Sequence, residues 1–144
     1  MTASAYGASI WQFSRILSDC LSKALRPIAR RYGITLAQAQ VIFSIHRNKH
    51  STVGSMAKRL GLARTNASAI CKKLASMGFI CRNRREDDER IVALELTESG
   101  KNAARDMEER IEKVYRKNLV DVEEIERLTT TFTEIYNLLH EDEV

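Results

Sequence analysis

Apolar residues near the start of the chain return every three or four positions. Ile10, Phe13, Leu17, Leu21, Ala24 and Ile28 fall on one stripe of a helix. The pattern predicts a long helix over 6–31, bent near Pro27 and ended by Gly33. Thr35 stands as N-cap to a second helix over 36–47, with Leu36, Ala39, Ile42, Phe43 and Ile45 apolar. Thr52 caps a third over 53–60, with Val53, Met56, Ala57 and Leu60 inward, and Gly61 stops it. A fourth runs over 64–77 to Gly78. Its Ala67, Ile70, Cys71 and Leu74 share one face, and Arg64, Thr65, Ser68, Ala69, Lys72 and Ser76 lie opposite.

The period then changes to two. Residues 79–82 and 91–96 read as short strands, and 83–90 between them is charged throughout, as in a hairpin loop projecting into solvent. Helical spacing resumes after Thr97, which caps a fifth helix to about residue 118. Gly100 sits in its first turn, and Ala103, Met107, Ile111 and Val114 follow. A sixth helix over 122–140 repeats Ile125, Leu128, Phe132, Ile135 and Leu139. The expected fold is mainly α: six helices and a small β-hairpin wing, without internal repeats.

Composition agrees with an ordered globular chain. Of 144 residues, 44% are hydrophobic and 29% charged. No apolar run approaches the roughly 18 residues of a membrane span. The start lacks a basic-then-apolar leader, so the expected address is the cytoplasm, with no membrane partner. Three cysteines, an odd number, argue against a disulfide framework.

Charge changes the picture more. The net +4 conceals a stretch from Cys20 to Arg85 with fourteen Lys and Arg and no Asp or Glu. From Glu86 onward there are 18 acids against 8 bases. Such polarity predicts a basic surface that seeks a polyanion, with nucleic acid as the expected partner. The alternative is that the bases are scattered over several faces and only solvate the protein.

The third and fourth helices, joined by a short turn at Gly61, have helix-turn-helix spacing. Short side chains on the second of them let it approach base edges, and flanking bases reach phosphates. A basic hairpin follows at once, so the unit reads as a winged helix.

Several motifs match a known family. They are Ile34-Thr35-x-x-Gln38, Thr52-Val53, Met56-Ala57, Leu60-Gly61-Leu62, Leu74-x-x-x-Gly78-Phe79-Ile80, Arg82, Asp88-Glu89-Arg90 and Leu96-Thr97-Glu98-Ser99-Gly100. Over about residues 34–105 the chain resembles the multiple-antibiotic-resistance regulator (MarR) family. The resemblance implies a homodimeric winged helix-turn-helix regulator of transcription. Such regulators usually repress from a pseudo-palindromic double-stranded DNA operator, and a small ligand or oxidation often releases them. It also implies three segments: an N-terminal dimerisation helix (1–33), a DNA-binding core (34–100) and C-terminal dimerisation helices (101–144). Ile10, Trp11, Phe13, Ile125, Leu128, Phe132, Ile135 and Leu139 would form the dimer contact, although the same stripes also suit an internal core.

Carried over by position, Thr65, Asn66, Ser68 and Ala69 face bases. Many relatives have Thr-Arg where this chain has Ser68-Ala69, so weight shifts to Arg64 and Asn66. The Asn66 amide suits adenine, or else caps the helix start. Lys72 and Lys73 suit phosphates. In the wing, the resemblance sends Arg90 to the minor groove, oriented by Asp88. The plainer reading of that pair is a surface salt bridge worth under ~1 kcal/mol. Arg84 and Arg85 would meet phosphates. Glu86, Asp87, Asp88 and Glu89 must face those arginines or point away.

The effector is less legible. The resemblance would line a ligand pocket with Phe13, Leu17, Phe43, Met107 and Ile111, each of which also reads as core. For redox control Cys20, close to Lys23, is the candidate sensor thiol. Cys71 falls on an inward face and Cys81 on a strand where it is exposed. His46 and His50 have i, i+4 spacing, but the helix ends between them, and no Cys-x-x-Cys or His-Glu-x-x-His motif occurs. Neither a metal nor another cofactor is expected. No nucleophile-base pair or phosphate loop points to an enzyme. The remaining alternative is a winged-helix protein-interaction module, which would not discriminate an operator from scrambled duplex.

Overall fold

The computed structural model describes residues 3–84, 91–117 and 122–140. The order of elements is α1 (Ala3–Arg31), α2 (Leu36–Arg47), α3 (Val53–Arg59), α4 (Arg64–Ser76), β1 (Ile80–Arg84), β2 (Val92–Leu96), α5 (Glu98–Lys117) and α6 (Val122–His140). This is the mainly α, six-helix arrangement with a hairpin wing that the spacing predicts. No helix among the described residues is long and apolar enough to cross a membrane.

The helices start where threonines satisfy their first amides. Thr35 Oγ1 accepts the Gln38 N–H at 3.2 Å, and Gln38 Oε1 accepts the Thr35 N–H at 2.9 Å. Thr52 and Ser55 repeat this reciprocal capping box at α3. Thr97 Oγ1 accepts the Gly100 N–H at 3.2 Å and donates to Gly78 O at 2.6 Å. Gly33, Gly61 and Gly78 follow α1, α3 and α4 with φ of 64°, 62° and 81°. These left-handed turns suit a residue without a Cβ.

The wing is an antiparallel pair in which Ile80 faces Leu96 and Arg84 faces Val92. β1 begins one residue later than the alternation predicts, because Phe79 still belongs to the turn that closes α4. A further bridge, Thr52 with Ala93, sets the residues before α3 against β2. The spacing gives no hint of it, since Thr52 reads only as a cap.

The chain divides into two compact units, 1–111 and 112–144. The core of the first joins Leu25 and Ile28 of α1 with Val41 and Ile42 of α2, Met56 of α3, Cys71 and Leu74 of α4, Leu94 of β2 and Met107 of α5. The α1 stripe is not uniform. Ala24 and Ile28 are buried, whereas Phe13, Leu17 and Leu21 are exposed, as is Trp11 at 74%. In the second unit Leu128 is exposed, and Phe132 and Ile135 are half-buried. The side chains of Ile125 and Leu139 lie outside the described residues.

Candidate nucleic-acid interface

α4 is divided lengthwise by burial. Ala67, Cys71 and Leu74 are fully buried and seat the helix on the core. Arg64, Thr65, Asn66, Ala69, Lys72 and Lys73 are exposed, and Ser68 is half-buried. This outward face carries the residues that the family resemblance assigns to bases and phosphates. The N-cap position is Ala63, which makes no side-chain cap bond. Asn66 therefore lies inside the first turn rather than at the cap. Arg84 ends β1 and is exposed. Arg85, Asp88 and Arg90 lie outside the described residues.

A cleft opens beside α4, lined by Thr52, Val53, Gly54, Arg64, Ser68, Arg82, Ile91 and Val92. It runs between the start of α3, α4 and the root of the wing. Among the described residues the buried Arg82 Nε finds no hydrogen-bond partner. A buried cationic donor of this kind is costly unless something accepts from it. Burial pushes the Cys71 thiol up, and the Arg82 charge opposes that shift without reversing it. Arg82 belongs to the family-like motif but not to the site residues expected from sequence. That motif and its place in the acid-free stretch are the signals that point to it.

Part of that stretch is neutralised from elsewhere. Arg31 Nη1 donates to Asp106 Oδ2 at 3.1 Å, and the Tyr32 hydroxyl donates to the same oxygen at 2.8 Å. Arg47 Nη1 donates to Glu108 Oε1 at 2.9 Å. Acids of α5 thus answer bases of α1 and α2, so charge counted along the chain overstates the basic surface. Both acids lie on α5, and Lys72 and Lys73 stand exposed on the outward face of α4.

The other candidates separate. Cys20 is exposed, but the neighbouring Lys23 ammonium pairs with Asp19 at 2.7 Å. Cys71 is buried, as its inward position predicts, and Cys81 is exposed. His46 Nε2 lies 3.3 Å from Glu108 Oε2, while His50 sits in the following turn at φ 59°. Among the described residues no group of three or more His, Cys, Asp and Glu is arranged to hold a metal ion. Of the five expected pocket residues, Met107 is core, Phe43 and Ile111 pack against it, and Phe13 and Leu17 are exposed on α1.

Comparison with known proteins adds the family. Residues 23–107 match the model of the transcriptional regulators SarA/Rot. The organic hydroperoxide resistance transcriptional regulator of Bacillus subtilis is 30% identical over 80 residues, 56% of this chain and 54% of that one. The match thus spans about half the length of that relative. Among solved structures, a MarR transcriptional regulator from Methanosarcina mazei superposes with a TM-score of 0.76 at 21% identity, covering 92% of this chain and 97% of the other. FabT of Streptococcus pneumoniae, solved in complex with DNA, superposes with a TM-score of 0.70 at 23% identity, covering 94% and 98%.

Proposed function

The chain belongs to the SarA/Rot family of transcriptional regulators, DNA-binding proteins with the MarR-type winged helix, and from that premise we propose that it represses transcription as a homodimer on a pseudo-palindromic operator. The observation that carries this reading is the split face of α4. Three buried side chains hold the helix on the core, while Arg64, Thr65, Asn66 and Lys72 stand outward.

In this reading α4 enters the major groove. Arg64 and Asn66 read base edges, Thr65, Ser68 and Ala69 allow close approach, and Lys72 and Lys73 take phosphates. Arg64 and Arg82 face a phosphate across the cleft, which would give the buried Arg82 Nε an acceptor. Arg84 and Arg85 follow the backbone along the wing, and Arg90, oriented by Asp88, reaches the minor groove. Two copies then read half-sites about 10 base pairs apart. Exposed Trp11, Phe13 and Leu17 on α1, with Ile10, Leu128, Phe132 and Ile135, supply the apolar surface for pairing, and Ile125 and Leu139 extend the α6 stripe. A small ligand bordered by Phe13, Leu17, Phe43, Met107 and Ile111 releases the DNA.

Thiol control is the second reading. Two observations favour it: the exposure of Cys20, and a relative whose name is an organic hydroperoxide resistance regulator. Peroxide would then release wild-type protein from DNA but not the Cys20→Ser variant.

The deciding experiment is fluorescence anisotropy at two salt concentrations. It compares a duplex selected from random sequence with its scrambled version. A preference of ~10³-fold or more is the expected result. Equal, salt-sensitive binding to both would overturn the operator-specific reading, because it contains only the counterion-release contribution.

A further inference from the structure

Arg59, the last residue of α3, joins separate segments of the chain through uncharged oxygens. Its Nε donates to Ser44 Oγ on α2 at 3.3 Å, and its Nη2 donates to Ser51 Oγ at 2.9 Å. Ser51 is only 2% exposed. Its hydroxyl donates to Asn48 O, at the C-cap of α2, at 2.9 Å. Its carbonyl accepts the Leu94 N–H of β2 at 2.8 Å. Asn48 Nδ2 closes the circuit on Ser44 O at 2.7 Å. The next residue, Thr52, caps α3 and bridges Ala93.

Ser51 therefore stands where the end of α2, the start of α3 and the returning strand of the wing meet. One guanidinium ties that crossing to the far end of α3, beside the Gly61 turn that leads into α4. A fork is needed there, because two hydroxyls on different segments must be engaged at once. An ammonium supplies a single charged point and no rigid fork.

We propose that Arg59, Ser51 and Ser44 form a positioning device for operator discrimination, holding the wing root in register with α4. The proposal rests on the reading of α4 and the wing as the parts that meet DNA. Phosphate and wing contacts set the register in which a recognition helix meets base edges. A wing root that shifts against α4 leaves non-specific attraction intact and degrades discrimination. Ser51 is buried, so it separates positioning from direct contact with DNA.

The test uses the full chain, with anisotropy on the selected and the scrambled duplex across a salt series. The variants are Ser51→Ala, Arg59→Lys, Arg59→Met and the double variant Ser51→Ala/Arg59→Met. Ser51→Ala is expected to lower the ratio of operator to scrambled affinity about three- to tenfold, the scale of one or two hydrogen bonds. Its affinity for scrambled duplex and its salt slope stay unchanged. A smaller folded fraction lowers both affinities alike, so the ratio reports geometry rather than stability. Arg59→Lys lowers the ratio while keeping the charge, and carries the test if Ser51→Ala fails to fold. The double variant falls no further than the worse single one, because the two residues act as a unit.

Unchanged ratios in Ser51→Ala and Arg59→Lys, or losses that simply add, would overturn the proposal. A salt slope reduced by about one in Arg59→Met, beside a wild-type ratio in Ser51→Ala, would make Arg59 a phosphate contact and also overturn it. A wild-type protein that prefers no selected duplex would remove the reading of α4 itself, and the proposal with it.

Discussion

At Gly100 one absent methyl group decides how closely α5 approaches the turn after α4. A Cβ built there would stand 2.1 Å from Phe79 O, a carbonyl already held by the Thr97 N–H at 3.1 Å. The backbone must move to admit it. Gly100→Ala is therefore expected to destabilise the fold by about 1–3 kcal/mol, read as a lower urea midpoint. An unchanged midpoint would contradict the close approach. From sequence, this glycine reads as a first-turn residue and part of a family-like motif, and the tightness of its site comes from a turn about twenty positions earlier.

Cys71 and Tyr32 make a second prediction at the same scale. Burial pushes both groups up, and for Tyr32 the hydrogen bond to Asp106 adds to the shift. Each folded-state pKa lies above its ordinary value, 9.0 for the thiol and 10.0 for the phenol. The unfolded chain ionises first as pH rises. The stability these groups confer is complete below about pH 9 and is lost as pH climbs through the raised values. Urea midpoints measured from pH 7 to 11 should fall above pH 9, with a flatter decline in Tyr32→Phe. Equal declines would remove Tyr32 from the account.

Elements were legible where local chemistry settles them. Thr35, Thr52 and Thr97 cap α2, α3 and α5, and glycines with positive φ follow α1, α3 and α4. The two faces of α4 were legible too, since a period of about 3.6 residues separates Cys71 from Lys72. Arg82 and the bridge from Thr52 to Ala93 were not, because each depends on segments distant in sequence. α4 supports a test of the site. Lys72→Ala should weaken binding to operator and scrambled duplex alike and reduce the salt slope by about one. Asn66→Ala should cost about 1–3 kcal/mol at one base pair and leave scrambled binding unchanged. A reversal of these two patterns in anisotropy would mean that the roles on the helix are misassigned.

For the molecule as a whole, the exposed half of α1 carries the argument. Trp11, Phe13, Ile16, Leu17 and Leu21 are 40% to 74% exposed in the single chain. Contiguous apolar surface of this kind is uncommon on a monomer and commonly marks an interface. Ile16→Glu is expected to shift sedimentation from dimer to monomer and to weaken operator binding. A wild-type protein that sediments as a monomer at micromolar concentration would refute the paired reading.

Sequence alone determined the number and order of the helices, the wing, the turns and the outward face of α4. Those features follow from apolar period, capping hydroxyls and glycine conformations, all of which act within a few residues. Tertiary structure decided which half of the α1 stripe is core. It also decided that α5 acids neutralise Arg31 and Arg47, that Arg82 lines the cleft, and that Ser51 joins three segments. Burial and electrostatic pairing depend on what the fold brings within a few ångströms, and the spacing of residues along a chain does not carry that information.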